Sequence, residues 1–290
     1  MGWGHPWEGL VGPTRSALRE AAFRLLRVTD DLSRSVRKEA ADGEDAAASF
    51  FGASGREASH GWPARLTARW LREAFRGEPR DTAPQLGGLP RPAGAASFAR
   101  ALSQFGFAVR IALTPTSLPF ALAREPAFVV AHRFGWLFGG LATDPEFHIR
   151  VLGLGRAAAR SQSRTLVKTA LLEARVQAAR LLLSDEHAFA PADLHSELTE
   201  RLFGSPLDPR LRGAWPAPRE DEPARLVALL QTPELRHGLR ERFDLDWFHN
   251  PRAWGHLREE SSRSARETID EAILVASADR LAKEIEGALG

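Results

Sequence analysis

Apolar side chains recur at helical spacing along almost the whole chain. In residues 14–41 they lie three, four or seven positions apart, with Arg and Glu between them: Leu18, Ala22, Leu25, Leu32 and Val36. The same spacing predicts helices at about 96–112, 117–142 and 264–288, and a long Ala-, Arg- and Leu-rich helix that ends at 184. The pattern therefore predicts an all-α fold, a multi-helix bundle of about nine or ten helices.

Capping residues place the starts of further helices. Pro63 suits a first helical turn, where the missing N–H needs no partner, and Thr232 precedes another such proline. Asp144 stands before a proline and is the expected N-cap of the next helix. Only two segments could compete as strands, "FAVRIAL" (107–113) and "FHIRVLGL" (147–154).

Stretches rich in Pro, Gly and small residues predict the long connections. They are residues 42–61, 76–94 and 203–223, and the second is the clearest linker. We expect an N-terminal helical segment or lobe over 1–94 and a C-terminal helical domain over 95–290.

Composition is that of a folded chain, with 43% apolar residues, 8 Trp and 16 Phe. Cysteine is absent, which excludes disulfides and Cys-based zinc sites and fits a reducing compartment. No apolar run approaches the roughly 20 residues that cross a bilayer. The first residues lack the charged leader and apolar core of a secretory signal. We therefore expect a cytoplasmic protein without membrane association.

The net charge is only +2, although the pI is about 9.6. With no Tyr and no Cys, almost nothing titrates between His and Lys, so a small excess of cations raises the pI strongly. Bulk charge therefore argues against a nucleic-acid partner.

"VLGLGRAAAR" (151–160) matches the dinucleotide fingerprint through Gly153, Gly155 and Ala158, with Glu173 about where a ribose-binding acid belongs. The residues between them read as an unbroken helix, whereas that site needs a turn and a second strand. We interpret the glycines as a helix start or hinge.

Four cations recur every four residues in this helix: Arg156, Arg160, Arg164 and Lys168. Each step turns about 40° around the axis, so they form one slowly winding stripe. Like charges repel, so acids on a neighbouring helix, a bound anion, or water and salt must neutralise them.

Two other segments gather histidines. In 185–197, His187 and His195 lie near Asp193, but Pro191 intervenes and the separation of eight is no known ligand spacing. "HNPRAWGH" (249–256) is similar. We interpret both as surface loops.

The segment 129–140, "VVAHRFGWLFGG", has part of a zinc-peptidase pattern. In H-E-x-x-H, two histidines one turn apart bind the metal and the Glu activates water. Here His132 is followed by Arg133 at the Glu position and Trp136 at the second His position. By spacing alone, His132 is a core histidine or a buried hydrogen-bonding group.

The longer segment "HRFGWLFGGLATDPEF" (132–147) resembles the active-site helix of the thimet oligopeptidase and oligoendopeptidase F family, which reads close to H-E-F-G-H-x-x-H. His132, Phe134 and Gly135 hold matching positions. The C-terminal segment 239–259 resembles that family's closing segment in its "DW" and "N-x-x-A". The resemblance covers about residues 115–290.

The departures from the family form a consistent set. Arg133, which cannot accept a proton, stands where the resemblance places the general base, and Trp136 where it places a ligand. The region of the family's third ligand, 155–166, contains no acid, and the chain has no Tyr to steady an oxyanion. A lone His132 is too few ligands for zinc. The resemblance therefore implies a relative that has lost its metal and its chemistry, and we predict no metal and no cofactor.

We expect a non-catalytic, metallopeptidase-like helical protein that offers a groove to a peptide or protein partner. One alternative is a metal-dependent peptidase or hydrolase that completes its site with a partner chain or with residues such as His187, Asp193 and His195. Another is an anion or nucleic-acid binder that uses the stripe. The anion-binding candidates are Arg133, Arg156, Arg160, Arg164 and Lys168.

Overall fold

The fold is all-α, as the periodicity predicts. The residues that a computed structural model describes form eleven α-helices and contain no strand. They are residues 15–39, 59–75, 95–115, 117, 129–184, 191–213, 215, 219, 221–262 and 270–290.

In chain order the helices are α1 (Arg15–Val28), α2 (Asp30–Glu39), α3 (Ala68–Ala74), α4 (Ala95–Leu113), α5 (Val129–Gly139), α6 (Pro145–Arg150), α7 (Arg156–Ser184), α8 (Ala192–Phe203), α9 (Glu222–Phe243), α10 (Pro251–Ser262) and α11 (Glu271–Leu289). Short 3₁₀ turns lie at Gly140–Thr143, Pro209–Gly213 and Trp247–His249.

The first predicted helix, 14–41, is two helices that meet at Thr29. The Thr29 hydroxyl donates to the Leu25 carbonyl over 2.6 Å, a local bond that competes with regular helix geometry. Asp30 and Asp31 then occupy the first turn of α2, where the helix dipole favours acids. The break is therefore encoded by three polar residues in succession.

The predicted start of a helix at Pro63 is wrong, because α3 begins at Ala68. Thr67 adopts an extended conformation, and its side chain accepts a hydrogen bond from the Trp70 N–H at 3.1 Å. A capping threonine therefore sets the boundary, and Pro63 precedes the helix.

The predicted helix start at Thr232 is also wrong, because α9 runs through it from Glu222 to Phe243 with Pro233 inside. An internal proline removes one backbone hydrogen bond and costs about 3 kcal/mol. Leu230 before the proline and Leu239 after it are both buried. Burial on both sides outweighs that loss.

Other boundaries agree with the sequence pattern. Helix α4 occupies the predicted span, and the Asp144 carboxylate caps α6 by accepting from the Glu146 N–H at 2.9 Å. The first strand candidate lies in α4, and the second lies in α6 and the turn that follows it. Gly153 has a positive φ of 70°, and Gly155 comes directly before α7, so the glycine pair is a helix start with no strand beside it in the described chain.

The chain divides into two compact units that do not follow its order. One unit contains residues 1–52, 168–230 and 266–290, and the other contains 53–167 and 231–265. The predicted linker 76–94 lies outside the described residues, so the predicted boundary at 94 stays a prediction.

In the first unit, α1 packs along α11, and Arg24 pairs with Asp279 across that contact at 2.9 Å. The middle of α7 is largely buried: residues 174–179 and 181–183 are buried, and Arg180 is partly buried.

The second unit has an aromatic core. Trp62 stacks on Phe98 with ring centroids 4.4 Å apart, and Phe75 stacks on Phe105 at 4.6 Å. Further rings complete the cluster: Phe134, Phe138, Phe147, Trp247, Phe248 and Trp254.

Helices α4 and α5 approach each other closely in this unit, at small residues. Ser103 donates to the Gly135 carbonyl at 2.9 Å. A Cβ on Gly106 would lie 2.3 Å from the Phe134 carbonyl oxygen, and one on Gly139 would lie 2.3 Å from the Ser103 hydroxyl oxygen. A side chain at position 106 would therefore meet rigid backbone, and one at position 139 would displace the Ser103 hydroxyl.

We expect Gly106→Ala to lower the free energy of unfolding by about 1–3 kcal/mol, because the new methyl group meets rigid backbone. Gly238→Ala is the matched control, since its Cβ would meet nothing within 4 Å and alanine favours helix by about 0.5–1 kcal/mol. Urea unfolding of both variants measures the difference. Equal effects at the two positions would contradict the close approach of α4 and α5.

None of the helices in the described ranges combines the length and apolar character that a membrane crossing requires.

Candidate functional site

The five positions of the peptidase-like motif lie on α5, and four of them are buried. His132 is 5% exposed, and its ring meets the Phe107 ring edge-on, with centroids 5.5 Å apart and planes at 90°. The imidazole therefore lies in the interior beside α4, in the environment of a core histidine.

Two of the three positions that carry the resemblance serve the core. Phe134 is fully buried in the aromatic cluster. A Cβ on Gly135 would lie 2.8 Å from the Phe107 ring, so a larger residue here would displace that ring. Trp136, the last residue of the motif, is half-buried. Packing alone accounts for "FG" in this helix.

Arg133, which follows His132 in the motif, forms a buried ion pair. Its guanidinium Nη2 lies 3.4 Å from a carboxylate oxygen of Glu260 on α10, and the two side chains are only 7% and 5% exposed. Its Nη1 donates to the Gln231 side-chain oxygen at 3.4 Å. The His256 Nε2 lies 4.0 Å from the other Glu260 oxygen. The position thus carries a cation neutralised by an acid.

This arrangement has clear chemical limits. A guanidinium stays protonated at every accessible pH, so Arg133 can hold a carboxylate in place but cannot activate water. Its charge is already matched by Glu260, which reduces its attraction for a second anion. Helix α5 is therefore built to pack and to hold one internal acid.

The other anion-binding candidates lie in a different environment. Arg156, Arg160 and Arg164 are exposed along the first half of α7, whereas Arg133 is interior. Lys168 pairs with Glu39 of α2 at 2.8 Å. The fourth member of the stripe thus has an acid from a neighbouring helix, and the residues of the first three positions are exposed.

In the histidine segment 185–197, the structure describes residues 191–197. His195 is buried on α8, and its Nε2 lies 3.1 Å from the Trp215 carbonyl oxygen. Asp193 is exposed, and His187 lies outside the described residues. His195 is thus a core histidine, so its interpretation as part of a surface loop is wrong. It is buried because α8 presents this side chain to Trp215.

In the second segment, His249 belongs to the 3₁₀ turn and stacks edge-on against Phe248, while His256 lies on α10 beside Glu260. Within the described ranges, no three His, Asp or Glu side chains lie together in a way that could hold a metal ion.

His148 is a buried titratable group that the sequence pattern did not predict. It is fully buried on α6, with Nε2 2.8 Å from the Ala142 carbonyl oxygen and Nδ1 3.4 Å from that of Ala159. Burial lowers the pKa of His148, and the two carbonyls and the Asp144 carboxylate oppose that shift only in part. The imidazole is therefore neutral in the fold and links α6 to the start of α7.

We expect stability to fall as the pH drops below the ordinary histidine pKa of 6.5. In that range the unfolded chain binds a proton at His148, whereas the folded chain binds it only at lower pH. The free energy of unfolding therefore falls by up to about 1.4 kcal/mol for each pH unit. Urea unfolding at neutral and mildly acid pH measures the slope. His148→Asn should flatten it, and exposed His237→Gln should not. An unchanged slope in His148→Asn would contradict this assignment.

The first unit contains a buried arginine that the sequence pattern did not predict. Arg175 of α7 has no exposed surface. It donates to the Leu26 carbonyl at 2.9 Å, the Thr29 hydroxyl at 2.7 Å, and the Asp30 carboxylate and Arg201 carbonyl at 2.8 Å each. Burial by itself raises the pKa of Asp30. Hydrogen bonds from Arg201 and Arg175 lower it by more, so the net pKa of Asp30 is below its usual value. This network joins α1, α2, α7 and α8.

Comparison of the chain with models of protein families, with curated proteins and with solved structures finds no match. The fold and the contacts of its own residues are therefore the basis for any functional assignment.

Proposed function

We propose that the protein is a non-catalytic, metallopeptidase-like helical protein that binds a peptide or a protein partner. The observation that supports this most strongly is the buried pair of Arg133 and Glu260 at 3.4 Å. It fills the position where the resembling family has a water-activating carboxylate with a cation that cannot accept a proton.

The surroundings of that pair support the same proposal. His132 faces the Phe107 ring at 5.5 Å, and Trp136, which offers no lone pair to a metal, follows one turn later. A helix of this kind retains a packing role after the loss of its chemistry. The proposal includes a cytoplasmic location, for which the lack of cysteine is the supporting observation.

A library of internally quenched peptides tests both parts of the proposal with the full-length chain. We expect no cleavage above the buffer rate with or without added Zn²⁺, and retention of a subset of peptides when the same library is immobilised. Zinc-dependent cleavage that is lost in His132→Gln but kept in exposed His237→Gln would contradict the non-catalytic assignment. Retention of no peptide would contradict the binding assignment.

A further inference from the structure

The first ten residues of α7, 156–165, bury almost no apolar surface in the second unit. The segment reads "RAAARSQSRT" and has no apolar side chain larger than alanine. Its buried residues are Ala159, Gln162 and Ser163, and Leu166 is the first large apolar side chain that α7 buries. Local opening of this segment therefore costs less free energy than opening of the aromatic core.

Hydrogen bonds of three side chains anchor the segment instead. Gln162 accepts from the His60 N–H at 2.9 Å and donates to the His60 carbonyl at 3.1 Å. Ser163 donates to a backbone carbonyl of the 3₁₀ turn before α6. His148 of α6 places Nδ1 3.4 Å from the Ala159 carbonyl oxygen. Of these three side chains, only the imidazole changes its charge between about pH 5 and 8.

The charges at the start of α7 also weaken it. Its first turn contains no acid and begins with Arg156, a cation at the positive end of the helix dipole. Arg160, four residues further on, adds a like charge on the same face, and both residues are exposed. A protonated imidazole beside this helix start would add another cation to it.

The groups around His148 determine what its protonation would do. Its Nε2 lies 2.8 Å from the Ala142 carbonyl oxygen, and the Trp62 ring meets it edge-on with centroids 6.1 Å apart. The charged group that favours protonation is Asp144, whose carboxylate already accepts from Arg240 of α9 at 2.9 Å. The His148 side chain has no exposed surface, so a charged ring meets water only if a neighbouring segment moves.

We propose that His148 is a pH-sensitive switch, and that its protonation in mild acid releases residues 156–165 from α6 while the rest of the second unit stays folded. Helix α6 is held in place by Phe147, which is fully buried and lies 5.3 Å from the Phe248 ring. Opening the start of α7 therefore brings water to the imidazole with the smallest loss of apolar burial. This switch does not depend on the proposed function.

Native-state hydrogen exchange of the full-length chain, followed by mass spectrometry at about pH 7.5 and about pH 5.5, tests the switch. After correction for the intrinsic exchange rates, protection of residues 156–165 should fall up to about ten-fold at the lower pH. Uptake of one proton on opening gives that change around the ordinary histidine pKa of 6.5. Low concentrations of urea should hardly alter this exchange but should accelerate exchange in α5, because a local opening exposes little surface.

Three variants separate the switch from general weakening of the helix start. His148→Asn should abolish the pH dependence, because no proton is taken up, and His148→Gln gives the same readout if the first variant does not fold. Ser163→Ala removes a different anchor, so exchange should rise at both pH values and keep its pH dependence. Exposed His237→Gln is the control and should behave as the unmodified protein does.

Three results would overturn the proposed switch. One is equal protection of residues 156–165 at the two pH values. Another is a pH dependence that persists when His148 is replaced. The third is exchange of this segment that responds to urea as steeply as exchange in α5, because His148 would then report on unfolding of the whole unit.

Discussion

Replacing Arg175 by methionine should lower the free energy of unfolding by about 3–5 kcal/mol. The guanidinium is completely buried and satisfies the Leu26 and Arg201 carbonyls, the Thr29 hydroxyl and the Asp30 carboxylate. Methionine approximates its volume and satisfies none of them, so the half-buried Asp30 carboxylate and three further acceptors lose a donor. Urea unfolding followed by circular dichroism measures the loss.

Arg27→Met is the matched control in the same unit, because Arg27 is 60% exposed and its partner Glu20 is 56% exposed. A surface pair of this kind contributes little, so we expect a change within about 0.5 kcal/mol. If Arg175→Met proved as mild as Arg27→Met, Arg175 could not be the node that joins α1, α2, α7 and α8.

Glu260→Gln should have the second-largest effect, a loss of about 3 kcal/mol. The change removes the charge that matches the buried Arg133 guanidinium while keeping the size of the side chain. A second variant with Arg133→Met and Glu260→Met together should recover most of this loss, because no buried charge is then left alone. Denaturant titration of the single and double variants gives both values.

Glu73→Gln is the control for this pair, since Glu73 meets Arg69 on an exposed face of α3. We expect it to change stability by at most about 0.5 kcal/mol. A double variant no more stable than Glu260→Gln would show that Arg133 and Glu260 do not act as a charge pair.

The elements with strong periodicity or clear caps could be predicted from the sequence. Helices α4 and α7 and the Asp144 cap are where local signals put them. The continuity of α9 through Pro233 could not be predicted from the sequence. Proline normally ends a helix, and here burial of residues on both sides outweighs that tendency. That burial depends on contacts distant in sequence.

The candidate site was predictable only in part, for the same reason. That Arg133 cannot serve as a base follows from its chemistry, and the buried character of His132 follows from its apolar neighbours. The pairing of Arg133 with Glu260 joins residues far apart in the chain, and no periodic pattern indicates it. Gly135 matches a family motif in the sequence. The structure gives another reason for glycine at this position, because a Cβ here would meet the Phe107 ring on another helix.

Metal content tests the proposed function most directly, namely the proposal that α5 holds an internal ion pair where the resembling peptidases hold zinc and a base. The full-length chain would be equilibrated with excess Zn²⁺, passed through a desalting column and analysed by elemental mass spectrometry, beside His132→Gln and His237→Gln. We expect far less than one zinc per chain, with no difference among the three proteins. One zinc per chain in the unmodified protein and in His237→Gln, but none in His132→Gln, would contradict the claim.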